Sequence, residues 1–209
     1  MALLLHGLFR IPNIYDMDSS MPLQIVEAMP ALRFLAPLMG WCERLALRHA
    51  AVVLPVCDGL VDIARRAGAR RVILLRDCSL LEAVPQDPTP LAGIPPFAGT
   101  TFVYVGNLQR YQGIDLLFDA LALAVGRTPA IRLIVVGGAA EHIEQYRARA
   151  AALGLADRVL FTGPVPVSRL QAAFAAADVL VSPRILGNNT PMKIYGYLDS
   201  GKAVLATNL

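Results

Sequence analysis

A chain of 209 residues and 22.5 kDa is long enough for one large domain or two small ones, each with its own apolar core. At 56% hydrophobic and 17% charged residues it is apolar for a globular protein, yet no run approaches the roughly 18 uninterrupted apolar residues of a membrane span. A formal net charge of +3 over scattered arginines excludes the footprint of a nucleic-acid binder, so any anion it takes is small and local.

Residues 1–5 are apolar, but His6 and Arg10 follow directly and no small-residue cleavage site completes a leader. Cys42, Cys57 and Cys78 are odd in number and form no close pair, which argues against a disulfide framework or a zinc site. Both features point to a soluble, cytoplasmic protein.

Residues 12–15 read as a short strand. Residues 33–49 read as a helix whose Leu35, Leu38, Met39 and Leu45 share one face. The apolar run 51–56 is a buried strand, Val61, Ala64 and the Gly68 stop signal frame a helix, and residues 71–75 form a further strand. Five prolines between residues 83 and 99 mark a linker, so the expected domains are 1–95 and 96–209. Strands are expected at 102–105, 132–136, 159–162 and 179–182. The intervening helices carry Ile114, Leu117, Phe118 and Leu121 on one face, then span 141–153 and, capped by Ser168, 168–177; a last helix and strand follow. Apolar strands alternating with helices define an α/β chain of doubly wound parallel sheets, which bind ligands beyond the carboxyl ends of their strands.

The loops after those strands open at Gly106, Gly137, Gly163 and Pro183, residues that let backbone approach a ligand. None carries a G-x-x-x-x-G-K or G-x-G-x-x-G phosphate fingerprint. The segment RILGNNTPMKIYGYLDSG (184–201) is more informative, with Thr190 as an expected helix cap, Pro191 in the first turn and Gly201 as the stop. Lys193 falls where the helix dipole disfavours a cation by roughly 0.3–1 kcal/mol. It would suit a bound anion held jointly by Lys193, the helix N-terminus and a bidentate Arg184; otherwise Lys193 snorkels to solvent and Arg184 pairs with a surface carboxylate. Gly196, inside the helix, requires close approach, by another helix or by a ligand.

FVYVGNLQRYQGIDLLFDAL, IRLIVVGG, RVLFTGPVP, AAADVLVSPR and NTPMKIYGYLDSGKAVLATN resemble the donor domain of family four glycosyltransferases, of GT-B fold and of the N-T-P-x-K-I-Y type. NIYDMDSSMP and ERLALRHAAVVLPVCDGLVDIARRAGA resemble the later part of the acceptor domain. The resemblance implies two Rossmann-like domains, both incomplete, in a fragment with little or no activity of its own. It implies retaining sugar transfer from a nucleoside diphosphate sugar to a glycan, lipid-linked or small-molecule acceptor, with neither cofactor nor metal. Arg184 and Lys193 would stabilise the departing diphosphate. Donor contacts would come from Gly106, Asn107, Arg110, Gly163, Val165, Asn188, Asn189 and Thr190.

The chain departs from the family pattern at several points. The usual arginine and lysine of the first donor-domain loop are Asn107 and Gln112, with Arg110 a partial substitute, and the usual pair of glutamates is replaced by Asn188 and Gly196. We read these as features of a subfamily in which Asn189 and Thr190 contact the sugar. Where the family often places a histidine near the reaction centre, the chain has Asp16 and Asp18, and Asp18 is the candidate. Asp16-Met17-Asp18 imitates a D-x-D metal motif, but two aspartates after a strand more often serve a turn. The basic amphipathic stretch 33–49, with Arg33, Arg44, Arg48 and Trp41, is expected to pack on the core with a solvated basic edge; peripheral membrane contact is the second reading. Two other functions remain open: a noncatalytic nucleotide-sugar-binding module, and a GT-B-fold epimerase.

Overall fold

The computed structural model describes residues 9, 11–79, 81, 85–187 and 189–208. They form two compact units, Met1–Asp77 with Gly187–Thr190, and Cys78–Leu186 with Pro191–Leu209.

In the first unit, β1 (Ile14–Met17) runs parallel to β2 (Val52–Pro55), Ile14 facing Val52 and Met17 facing Pro55. The connection holds α1 (Met21–Ala28), a 3-10 segment (Pro30–Leu35) and α2 (Ala36–His49); α3 (Asp58–Arg66) follows β2. Prolines partition this connection. Pro22, Pro30 and Pro37 all fall in the first turns of their segments, where a missing N–H breaks no helical bond. The single helix expected from residue 33 is therefore split at Ala36, and α1 goes unannounced by any strong apolar period. The third expected strand, 71–75, is reduced to a bridge between Val53 and Val72. Its backbone still lies along β2, through bonds from Val53 N–H to Arg71 O, Ile73 N–H to Val53 O and Leu75 N–H to Pro55 O. Met17, Leu47, Val53, Leu60 and Ala64 fill the core between sheet and helices.

The second unit is a five-stranded parallel sheet in the order β5-β4-β3-β6-β7. Its strands are β3 (Thr100–Val105), β4 (Ile131–Val136), β5 (Val159–Gly163), β6 (Val179–Ser182) and β7 (Ala203–Ala206). Its helices are α4 (Ile114–Arg127), α5 (Ala140–Ala152), α6 (Leu170–Ala175) and α7 (Met192–Asp199). Successive side chains of β3 point to opposite faces, so Tyr104 enters a core with Phe118, Leu133 and Tyr146 while Val103 joins Ile134, Phe174 and Tyr197 on the other side. The fold is the doubly wound parallel α/β class that the alternation predicts.

Two details differ from the sequence expectation. Ser168 does not cap a helix; it lies inside a 3-10 turn (Val167–Arg169), and its carbonyl accepts the N–H of Asp87 at 2.8 Å. The proline-rich stretch is fastened to the second unit, with Arg169 donating to the Asp87 carboxylate and to Pro90 O, and Arg132 donating to Pro95 O.

Candidate functional site

From β3 the chain proceeds toward β4 on one side, and from β6 toward β7 on the other. The switch between β3 and β6 opens a crevice at their carboxyl ends, which is where open parallel sheets bind ligands. Two loops frame it, residues 106–113 and 183–186. Gly113, at φ +69°, lets the first loop press on the second, since a Cβ there would overlap the carbonyl of Pro183. Ile185 N–H completes the tie by donating to Tyr111 O at 3.0 Å.

Lys193 enters this crevice from α7. Its Nζ donates to Oε1 of Gln112 at 2.9 Å and lies 4.1 Å from the centre of the Tyr104 ring. A Cβ on Gly106 would stand 2.8 Å from the same nitrogen. Burial, and then the positive charge of Arg184, pull Lys193 down to about 7. Tyr104 is buried and donates to the carbonyl of Asn107; desolvation raises its hydroxyl far above the ordinary value. Arg184, just after β6, donates from Nε to Leu186 O at 2.6 Å, and its guanidinium stands 5.7 Å from the Tyr111 ring centre. The arrangement offers a compact ammonium, a guanidinium and a helix start to a small anion at the switch point.

Asn107 is exposed, with its amide donating to the Tyr111 hydroxyl and accepting from Gln109 N–H. Arg110 is exposed on the 3-10 turn Arg110–Gln112. Gly163 ends β5 and accepts from Gly137 N–H, while Val165 is partly buried against the core beside α6. Thr190 is not the helix cap, because Pro191 occupies that position and no side chain caps the helix. Asp18, Asn189 and Thr190 belong to the first unit, where Asn189 Nδ2 donates to Asp18 O at 2.8 Å. Asn188 lies outside the described residues. Among the described residues no three His, Cys, Asp or Glu side chains gather to hold a metal ion. Asp16 and Asp18 do act on a third carboxylate, Asp77, whose value is raised by burial first and by their charges second.

Gly196 is buried, and a Cβ there would lie 3.3 Å from the Phe174 ring, so its smallness serves the contact between α7 and α6. The expectation that Leu38 shares a buried face is corrected: Phe34, Leu38 and Trp41 are 75%, 58% and 59% exposed and form an outward apolar row. Reading the sequence missed the roles of Tyr104 and Gln112. Gln112 was visible only as a departure from the family's donor-domain loop, which does not name a partner 81 residues away.

Fold and geometry together define a Rossmann-like α/β protein with two cationic side chains, Lys193 and Arg184, at the topological switch point. A family model described as "Glycosyl transferases group 1" matches residues 99–209, more than half of the chain, and the chain belongs to that family. D-inositol 3-phosphate glycosyltransferase of Acidothermus cellulolyticus is 36% identical over 96 residues, covering 42% of this chain and 21% of its own. The 2-deoxystreptamine glucosyltransferase of Streptomyces kanamyceticus is 29% identical over 180 residues, covering 77% of this chain and 46% of its own. The chain thus matches less than half the length of either relative. Among solved structures, a sucrose-phosphate synthase from Thermosynechococcus elongatus superposes with a TM-score of 0.79 at 20% identity, over 98% of this chain and 52% of that one. Anabaena HepE in complex with UDP-glucose gives 0.72 at 19% identity, over 98% and 56%. These two likenesses bear on fold, and they agree with the parallel α/β architecture. Among the described residues no helix is long and apolar enough to cross a membrane.

Proposed function

We propose that the protein transfers a sugar from a nucleoside diphosphate donor to an acceptor hydroxyl, with retention of configuration and without a metal. The observation that carries this reading is the proximity of two cations, Lys193 and Arg184, at the β3/β6 switch point. Charge accumulates on the leaving diphosphate in the transition state, and preorganised cations placed beside it lower the barrier most. This chain's own Lys193, Arg184 and the start of α7 do that neutralising. UDP is the first donor nucleotide to test, because a structural neighbour with a TM-score of 0.72 holds UDP-glucose. Three curated relatives are named for D-inositol 3-phosphate, 2-deoxystreptamine and phosphatidyl-myo-inositol, so a polyhydroxylated acceptor, soluble or lipid-linked, suits this chain.

Peripheral contact of a cytoplasmic protein with a membrane is part of this reading, and the row Phe34, Leu38 and Trp41 with Arg33 and Arg44 supports the contact itself. Thermal unfolding with UDP, GDP and ADP tests the donor site, since a ligand at about 100 times its dissociation constant adds roughly 2.7 kcal/mol. A shift present in the wild type and lost in Lys193→Ala supports the site, and a wild-type transition unmoved by all three nucleotides rejects it. Release of free sugar from UDP-sugars then separates a transferase from a binding module, and an epimerised donor would point instead to an epimerase.

A further inference from the structure

We propose that Gln112 is a positioning residue of the phosphate site: its side-chain carbonyl and the face of Tyr104 dock the Lys193 ammonium beside Gly106, directing it at an incoming diphosphate. The inference rests on the donor-site reading above and concerns how that site is poised before its ligand arrives.

Gln112 is only 7% exposed, on the last residue of a 3-10 turn that Gly113 anchors against Pro183. Its amide therefore has a fixed direction, and the atom it presents to Lys193 is an acceptor. The ring face of Tyr104 adds an electrostatic contact from below. The groups that act on the ammonium are Tyr104 from β3, Gln112 from the 3-10 turn and, through its charge, Arg184 after β6. The charged one among them is Arg184, of like sign, so among the described residues dipoles hold the cation.

The choice of lysine is informative. Of 19 basic residues in the chain only Lys193 and Lys202 are lysines, the rest being arginines. An arginine at 193 would stay charged in this buried place, whereas a lysine can release its proton when desolvated. With burial and Arg184 bringing Lys193 to about 7, amine and ammonium are both populated at neutral pH. A diphosphate supplies the missing negative charge, and the amine then takes a proton from solvent. Gln112 sets the balance, because its carbonyl favours the charged form that donates to it.

Having only two lysines makes the test direct. Protein labelled with 13C at the lysine side chains gives two ε-carbon signals, and Lys202→Arg assigns them. The Lys193 signal is expected to titrate near neutral pH in the wild type. It should move lower by about half a pH unit or more in Gln112→Leu and higher by about one unit in Gln112→Glu, while Lys202 stays put as a check on the fold. Saturating UDP should raise the wild-type midpoint. Identical Lys193 midpoints in all three proteins, with UDP still raising them, overturn the positioning role and leave the phosphate site standing. Midpoints that depend on Gln112 but ignore UDP, GDP and ADP overturn the phosphate site itself, and with it the purpose assigned to Gln112.

Discussion

The backbone N–H of Val105 donates to the hydroxyl of Tyr197 at 2.9 Å, joining the last residue of β3 to the middle of α7. Tyr197 is fully buried, its ring meets Phe174 edge-on at 5.4 Å, and burial pushes its hydroxyl well above the ordinary tyrosine value. The bond fixes the pitch of the helix that carries Lys193 relative to the strand that carries Tyr104, one residue before Val105.

Tyr197→Phe removes that acceptor while keeping the ring. A buried N–H left without its partner costs about 1–3 kcal/mol. Urea denaturation should show a loss in this range, and UDP binding should weaken as well because Lys193 is no longer held in register. A loss below about 0.5 kcal/mol would mean that the hydroxyl plays no structural part.

Stability should depend on pH through Lys193. Its folded value lies below the ordinary 10.5, so above about pH 7 the unfolded chain holds a proton that the folded chain has released. Stability therefore rises with pH from about 7 to about 9.5, below the range where tyrosines ionise, by up to about 1.4 kcal/mol per pH unit. Lys193→Met should flatten this profile while abolishing any nucleotide-dependent stabilisation. An unchanged slope in the variant would show that another group titrates there.

Gly113→Ala should damage both fold and site. The residue needs a left-handed backbone, and a methyl there meets the Pro183 carbonyl. A loss of at least about 2 kcal/mol is expected in urea, together with loss of the UDP shift, since the tie between the two loops is broken. Gly126→Ala, in open space on α4, should instead be neutral or stabilising by up to about 1 kcal/mol.

Gly196 distinguishes packing from ligand contact. Gly196→Ala gains roughly 1 kcal/mol of helix propensity and loses part of it to the tight Phe174 contact, so its net effect should stay within about 1 kcal/mol. Gly196→Glu drives a carboxylate against the Phe174 ring and should cost more than about 2 kcal/mol. If Gly196→Glu proved stable and strengthened donor binding, the residue would belong to the site after all.

The row Phe34, Leu38 and Trp41 predicts association with lipid vesicles containing anionic phospholipid, with Trp41 fluorescence shifting to shorter wavelength on binding. Trp41→Ser in a co-sedimentation assay should reduce binding several-fold. Equal binding by both proteins would assign the row to another role.

The sequence alone determined most of the second unit. β3 and β4 are continuous β-branched and apolar runs because a central parallel strand is covered on both faces, and that burial is written locally in its composition. Lys193 was visible for a local reason too, as a cation in the first turn of a helix. Tertiary structure decided what no local period encodes. Prolines cut the connection between β1 and β2 into three helical pieces, and the 71–75 strand met β2 through a single bridge. The cradle of Lys193 unites residues 104, 106, 112 and 193, which the order β5-β4-β3-β6-β7 brings to one crevice. A residue's own neighbours in sequence fix its helix or strand preference, but the partner of a buried charge is set by which strand ends the crossovers place side by side.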